Sequence, residues 1–94
     1  MRDLDRPRIR VDFNEMIEQD VVLLAIRDEV VDSTGAVIIL REGLRVYLYM
    51  EDADENGNPR DLLASGFAEK NHATDWSRRA SWRCRIDEWG EQGR

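Results

Sequence analysis

The chain has 94 residues, of which 41% are hydrophobic and 36% charged, and its 14 basic and 20 acidic side chains give a formal net charge of −6. This length predicts one domain over residues 1–94, with a core over 8–88 and flexible tails at 1–7 and 90–94. The composition is too apolar for a disordered chain and too charged for a membrane protein. The acidic balance disfavours nucleic-acid binding, because carboxylates repel phosphates.

Segments that direct or anchor a protein are not expected. The longest apolar run, residues 21–26, is far shorter than the roughly 20 residues of a membrane helix. The first residues do not form the apolar segment of a secretion signal, so we expect a cytoplasmic protein of bacterial type with no membrane partner. A single cysteine, Cys84, excludes an internal disulfide and a cysteine-based zinc site. No cofactor is expected.

The first half of the chain predicts short strands. Residues 9–13 alternate apolar and polar side chains, which is typical of a half-buried strand. Asn14 is placed to cap one helical turn over residues 15–18. The apolar run at residues 21–27 then predicts a strand that is buried on both faces.

Turn residues delimit the strands that follow. Residues 32–35, Asp-Ser-Thr-Gly, are typical of a turn in which Gly35 supplies a positive φ. Residues 36–40 predict the returning strand, and residues 41–43 the next turn. The clearest alternation then runs over residues 44–51, before a polar loop at 52–61.

The last two strands surround a second polar loop at residues 70–79. Residues 62–69 predict a strand in which Gly66 marks a bulge or a sharp bend. Residues 80–86 predict the final strand, which alternates inward apolar residues with Arg83 and Arg85. The buried faces of these strands predict a common core, whose members are Val46, Leu48, Trp82, Cys84 and Ile86.

Five or six short strands with hairpin-length connections predict an all-β antiparallel meander with at most one short helical turn. A chain of this size limits its exposed strand edges by closing into a small barrel or a bent sheet. The strand count and spacing over residues 8–88 resemble an SH3-like barrel. Residues 47–52 are similar to the Ala-Leu-Tyr-Asp-Tyr motif of signalling SH3 domains. Because they follow two strands instead of opening the fold, the function of those domains is not carried over.

The polar loop at residues 52–61 has the alternating acids of a calcium loop, at Asp52 and Asp54. An EF-hand needs a bidentate Glu at the twelfth position, where this chain has Leu63, and helices on both sides. We therefore interpret the segment as a hairpin loop whose side chains bond their own backbone. The alternative is a weak calcium loop, and no tight metal site is expected.

Residues suited to nucleophilic catalysis are few. Ser65 lies in Ala-Ser-Gly, which lacks the Gly-x-Ser-x-Gly elbow that exposes a serine nucleophile. His72 and Asp75 share a polar loop, but Cys84 lies on an apolar strand face, where a buried thiol is inert. We therefore expect a protein that is not an enzyme and has no catalytic residues.

Arginine and aromatic residues form the remaining pattern, which we name the Tyr/Arg surface. Tyr, Trp and Arg are enriched in the hot spots of protein interfaces, and the outer strand faces are not needed by the core. The alternative is a purely structural role, in which the arginines pair across strands with Glu51, Glu69 or Asp87. The predicted surface consists of Tyr47, Tyr49, Trp76, Arg78, Arg79, Arg83 and Arg85.

The function predicted from the sequence is that of a non-catalytic small β-barrel module, which binds a protein or peptide partner through the Tyr/Arg surface. One alternative is an RNA-binding barrel that uses the same side chains for stacking. Another is an antitoxin-like or immunity-like inhibitor that directs mid-chain carboxylates at a basic partner. Residues 11–70 carry 14 acidic and five basic side chains, which suits that last alternative. The oligomeric state is not determined by the sequence.

Overall fold

The computed structural model describes residues 4–93, which form eight β-strands and one 3-10 turn. The predicted all-β class with one short helical turn is confirmed, although that turn lies at Trp76–Arg79. The strands are β1 (Ile9–Arg10), β2 (Met16–Glu18), β3 (Val21–Ala25), β4 (Glu29–Val31), β5 (Val37–Ile39), β6 (Arg45–Ala53), β7 (Pro59–Lys70) and β8 (Trp82–Gly93).

Six strands form one curled sheet with the shape of a half-barrel, in the order β1-β6-β7-β8-β3-β2. Strands β6, β7 and β8 are antiparallel neighbours, as consecutive hairpin strands should be. The sheet departs from a simple antiparallel meander at its edge, where β1 pairs with β6 in parallel. Strands β4 and β5 form a separate two-stranded hairpin.

The end of the chain belongs to the sheet. Residues 90–93 were expected in a flexible tail, but they continue β8 as far as Gly93, which lies opposite Arg60 of β7. Of the expected N-terminal tail, residues 4–7 are described, and the Asp5 amide donates a hydrogen bond to Gln92 at 3.0 Å. Residues 1–3 and 94 lie outside the described residues.

The helical turn expected after Asn14 is wrong. Met16–Glu18 is strand β2, which pairs with Val21 and Val22 of β3. Asn14 donates its own amide to the Asp12 carboxylate at 2.9 Å instead of capping a helix. The hydrogen bond between Asn14 and Asp12 therefore closes a turn before β2 begins, and Met16–Glu18 pair with the sheet.

The core lies between the inner face of the sheet and the hairpin. All five predicted core members are buried, with Leu48 and Cys84 at 0% exposure. Residues 21–24 are also buried on both faces of β3, as predicted, but the strand ends at Ala25, and Ile26, expected to be buried, is 62% exposed. Val30 and Ile38 of the hairpin pack against this core and hold the hairpin over it.

Gly66 allows β7 and β8 to approach closely at a bend. The pairing of these strands shifts between Ser65 and Gly66 and leaves Asp87 as an extra residue in β8, which confirms the predicted bulge. A β-carbon at Gly66 would lie 2.8 Å from the carbonyl carbon of Arg85 and still closer to its oxygen. This contact is with backbone, so it cannot be relieved by a side-chain rotation.

We expect Leu48→Ala to lower the free energy of unfolding by about 2–5 kcal/mol, because it removes buried methyl groups and leaves a cavity. Chemical denaturation with circular dichroism measures the change. Val37→Ala is the matched control, since Val37 is 58% exposed. Equal losses in the two variants would contradict the assigned strand faces.

We expect Gly66→Ala to lower the free energy of unfolding by about 3 kcal/mol or more, because the added methyl group overlaps the β8 backbone. Gly90→Ala is the control, since its β-carbon would meet only the Leu63 side chain, at 4.0 Å. Thermal melts of both variants test this prediction. A Gly66→Ala protein as stable as the control would show that close packing at the bend is not required.

Candidate functional site

The residues of the Tyr/Arg surface lie on three parts of the fold. Tyr47 and Tyr49 are on β6, Arg83 and Arg85 are on β8, and the others belong to the 3-10 turn before β8. Arg45, Phe67 and Arg85 stand in register across β6, β7 and β8. Because alternate residues of β6 share a face, Arg85 lies on the same side of the sheet as both tyrosines.

Tyr49 does not have the exposure that its outer position predicts. It is 8% exposed, because it lies in register between Arg10 of β1 and Leu63 of β7. Leu63 on the same face is also buried. Tyr49 is therefore part of the packed outer layer, and its ring is not available to a partner in this conformation.

Arg83 and Arg85 share one carboxylate, that of Glu69 on β7. Arg83 Nε lies 2.7 Å from Glu69 Oε1, and Arg85 Nη2 lies 3.0 Å from the same oxygen. Arg85 also faces Glu18 at 3.5 Å. Burial raises the pKa of Glu69, but the hydrogen bonds and charges of Arg85 and Arg83 outweigh burial, and the pKa is lowered overall. These contacts are the cross-strand pairing of the structural alternative.

The 3-10 turn presents Trp76 and Arg78 to solvent, with Trp76 56% exposed. The turn is held by Asn71, whose side-chain amide donates to the carbonyl oxygens of Ser77 and Ala80. Asp75 caps its start by accepting bonds from the amide and hydroxyl of Ser77. The third surface residue of the turn, Arg79, forms an ion pair with Glu15.

Tyr47 is half-buried beneath three other arginines, which the sequence did not single out. The guanidinium carbons of Arg6, Arg45 and Arg8 lie 4.2, 5.8 and 6.0 Å from its ring centroid. Cation–π contacts of this kind orient the guanidinium groups over the ring. In the structure Tyr47 therefore contacts arginine side chains, but these belong to the N-terminal segment and β6 instead of β8 and the 3-10 turn.

A second feature that sequence reasoning missed is an exposed aliphatic surface on the hairpin. Register pairs Val31 with Val37 and Glu29 with Ile39 on the outer face of β4 and β5. Val31, Val37 and Ile39 are 61%, 58% and 60% exposed. The available signal was the run Val-Ile-Ile at residues 37–39, in which no polar residue takes the outward position.

The polar loop at residues 52–61 contracts to the turn between β6 and β7. Asp54 accepts hydrogen bonds from the amides of Asn56 and Asn58, both at 2.9 Å, and from the Asn58 side chain. These bonds with Asn58 and Asn56 lower the pKa of Asp54. Within residues 4–93, no group of three or more His, Cys, Asp or Glu residues could hold a metal ion.

Two of the residues considered for nucleophilic catalysis, Cys84 and Ser65, are buried. Cys84 is fully buried, and burial raises the pKa of its thiol to about 12. Ser65 is also buried, and its hydroxyl accepts a hydrogen bond from Arg45. His72 lies on the surface.

Comparisons with known proteins give no family for the chain. No protein-family model matches it, and searches of curated proteins and of solved structures found no match. In the part of the chain that the structure describes, no helix is long and apolar enough to cross a membrane.

We expect Glu69→Gln to reduce stability at neutral pH by less than about 1 kcal/mol, since partly exposed ion pairs contribute little. A lowered pKa contributes stability above the ordinary value of 4.5, and this stability is lost as the pH falls through the folded-state pKa. Unfolding free energies from pH 7 to pH 3 should therefore fall less steeply for the variant. Glu55→Gln, in an exposed turn, is the control, and identical slopes for Glu69→Gln and the wild type would contradict the assignment.

Proposed function

We propose that this protein is a non-catalytic protein-binding module whose partner contacts the outer surface of the β4–β5 hairpin. This surface, the hairpin face, consists of Ile26, Val31, Val37 and Ile39. The observation that supports the proposal is their exposure, which lies between 58% and 62% for each residue. Contiguous exposed apolar side chains on a soluble domain are typical of interaction sites.

The hairpin face is firmly supported, and Val31 and Val37 lie opposite each other on it. Ile26 and Val31 line one shallow groove with a volume of about 590 Å³. From beneath, Val30 and Ile38 pack into the core. At the open end of the hairpin, the Leu40 amide donates a hydrogen bond to the Asp28 carbonyl at 2.7 Å. At the hairpin turn, the Ser33 amide donates a hydrogen bond to the Arg8 carbonyl. A partner would therefore meet a preformed surface, which reduces the ordering cost of binding.

Burial of this face would supply useful binding energy. Complete burial of an aliphatic side chain stabilises by about 1.5–3 kcal/mol, so each of these partly exposed residues would contribute about 1 kcal/mol or more. Their branched side chains also lose little rotamer freedom on binding, because they are already restricted at χ1. The four residues together would support specific binding if the partner offers a complementary apolar surface.

The chemistry of the hairpin face favours a protein over nucleic acid. RNA is bound through aromatic stacking and cationic side chains, whereas this face is aliphatic and is bordered by the acidic residue Glu29, which pairs with Ile39. Asp28, the residue before Glu29, is also exposed. The net charge of −6 adds to the repulsion of phosphates.

The Tyr/Arg surface remains a prediction with less support. Tyr49 is buried, and Arg79, Arg83 and Arg85 are each paired with carboxylates. A partner that used these arginines would have to compete with ion pairs already formed within the chain. Trp76 and Arg78 are exposed and take part in none of these ion pairs, so a partner could contact them directly.

Two double variants decide between the surfaces. Val37→Glu/Ile39→Glu places charge on the hairpin face, and Trp76→Ala/Arg78→Gln removes the two exposed members of the Tyr/Arg surface that lie outside its ion pairs. Because all four positions are exposed, we expect both variants to melt close to the wild type. Each purified protein is immobilised and exposed to nuclease-treated lysate of the source organism, and retained proteins are quantified by mass spectrometry and then titrated by calorimetry.

We expect a protein that is retained by the wild type and by the Trp76→Ala/Arg78→Gln variant, but is bound at least about tenfold more weakly by the hairpin variant. Binding should persist at 1 M salt, because an apolar contact is not screened. The opposite pattern between the variants would favour the Tyr/Arg surface. Retention that appears only when the nuclease is omitted would favour the RNA-binding alternative. Binding to a basic protein that is lost at high salt would favour the inhibitor alternative.

A further inference from the structure

A short apolar groove lies between the N-terminal segment, β5 and β6, apart from the hairpin face. Its volume is about 380 Å³. The floor is formed by Ile9, Ile38, Leu44 and Val46, and Arg6 and Tyr47 lie at its rim. Small-molecule sites in proteins have volumes of about 300–1,000 Å³ and mostly apolar linings with a few polar groups.

The floor of the groove is part of the folded core. Ile9 and Val46 are 3% and 2% exposed, and Ile38 and Leu44 are half-buried and packed against the core. The groove is therefore present before a ligand arrives. An apolar ligand would replace water over these side chains without rearranging the sheet.

The rim carries a positive charge with a defined position. The Arg6 guanidinium carbon lies 4.2 Å from the Tyr47 ring centroid, and among residues 4–93 Arg6 forms no ion pair with a carboxylate. Arg45, which also lines the groove, is already paired with Asp87 at 2.6 Å. The neighbouring Asp5 carboxylate, whose pKa is lowered by its hydrogen bonds with Arg8 and also by the charge of Arg6, is itself paired with Arg8. Arg6 is therefore the cation of the groove that a ligand can use.

The acidic side chain that lines the groove already accepts hydrogen bonds from the hairpin turn. Of the described residues that line it, only Asp32 is acidic. Its Oδ1 atom accepts bonds from the amides of Thr34 and Ala36 and from the Thr34 hydroxyl, at 2.6–3.1 Å. Asp32 thus serves the hairpin turn, and it does not neutralise Arg6.

We propose that this groove binds a small apolar monocarboxylic acid, with its carboxylate on Arg6 and its hydrocarbon body on the apolar floor. A guanidinium group matches the geometry of a carboxylate and can donate two parallel hydrogen bonds to it. The cation–π contact with Tyr47 holds the guanidinium group in place for this contact. The small volume favours a free acid over a peptide, because an extended peptide requires a longer groove.

Decanoate is a suitable probe, and decan-1-ol is its matched neutral control. Each is titrated into the ¹⁵N-labelled full chain while amide chemical shifts are followed by NMR. We expect decanoate to shift the amides of Ile38, Leu44 and Tyr47 in a saturable manner. Decan-1-ol should bind at least about tenfold more weakly, because it cannot form the charge-assisted bonds with Arg6.

Variants separate this site from others on the surface. Arg6→Gln should weaken decanoate binding by about tenfold or more, whereas Arg10→Gln should leave it unchanged, since Arg10 pairs with Glu51 outside the groove. Val37→Glu/Ile39→Glu should also leave it unchanged, so failure here is distinct from failure of the hairpin face. The proposal is overturned if decanoate does not bind the wild type, if decan-1-ol binds equally well, if Arg6→Gln has no effect, or if the shifts map to the hairpin face.

Discussion

The close approach of β7 to β8 at Gly66 sets the curvature of the sheet. These two strands are each 12 residues long and lie at its centre. A residue with a side chain at position 66 would overlap the Arg85 backbone, and the extra residue Asp87 bends β8 at the same point. Bulges increase local twist and bending. Because the sheet curls here, a short chain can enclose its core from one side.

Arg8 connects this curled sheet to the segments that cover it. Its buried guanidinium donates to the carbonyl oxygens of Leu48 and Ala64, at 3.1 and 3.2 Å, and pairs with Asp5 at 2.7 Å. Its backbone bonds Ser33 in the hairpin turn. A buried charge is stable only when its donors are satisfied. By meeting that requirement, Arg8 fixes the N-terminal segment and the hairpin, and it thereby positions both the groove and the hairpin face.

The molecule uses two contrasting kinds of surface. The outer face of the main sheet carries arginines that form ion pairs within the chain, as Arg83 and Arg85 do with Glu69. Such pairs are worth little energetically, but they leave few charges for a partner. The hairpin face is aliphatic, and its side chains find no cover within residues 4–93. We propose that a protein partner covers them and that the groove beside Arg6 takes a smaller, anionic ligand.

By itself, the sequence determined the strand-rich class, the inward face of Leu48 and Cys84, and the bulge at Gly66, because alternation and glycine conformation are local properties. It did not predict β8 beyond Ile86. The bulge at Asp87 breaks the alternation there, and Trp89 returns to the inner face, where it packs 5.2 Å from Phe13. Only the tertiary structure decided which outward-facing residues are available to a partner. The neighbours that bury Tyr49, pair Arg83 and bring Arg6 to Tyr47 are distant in sequence, and no periodic pattern encodes such contacts.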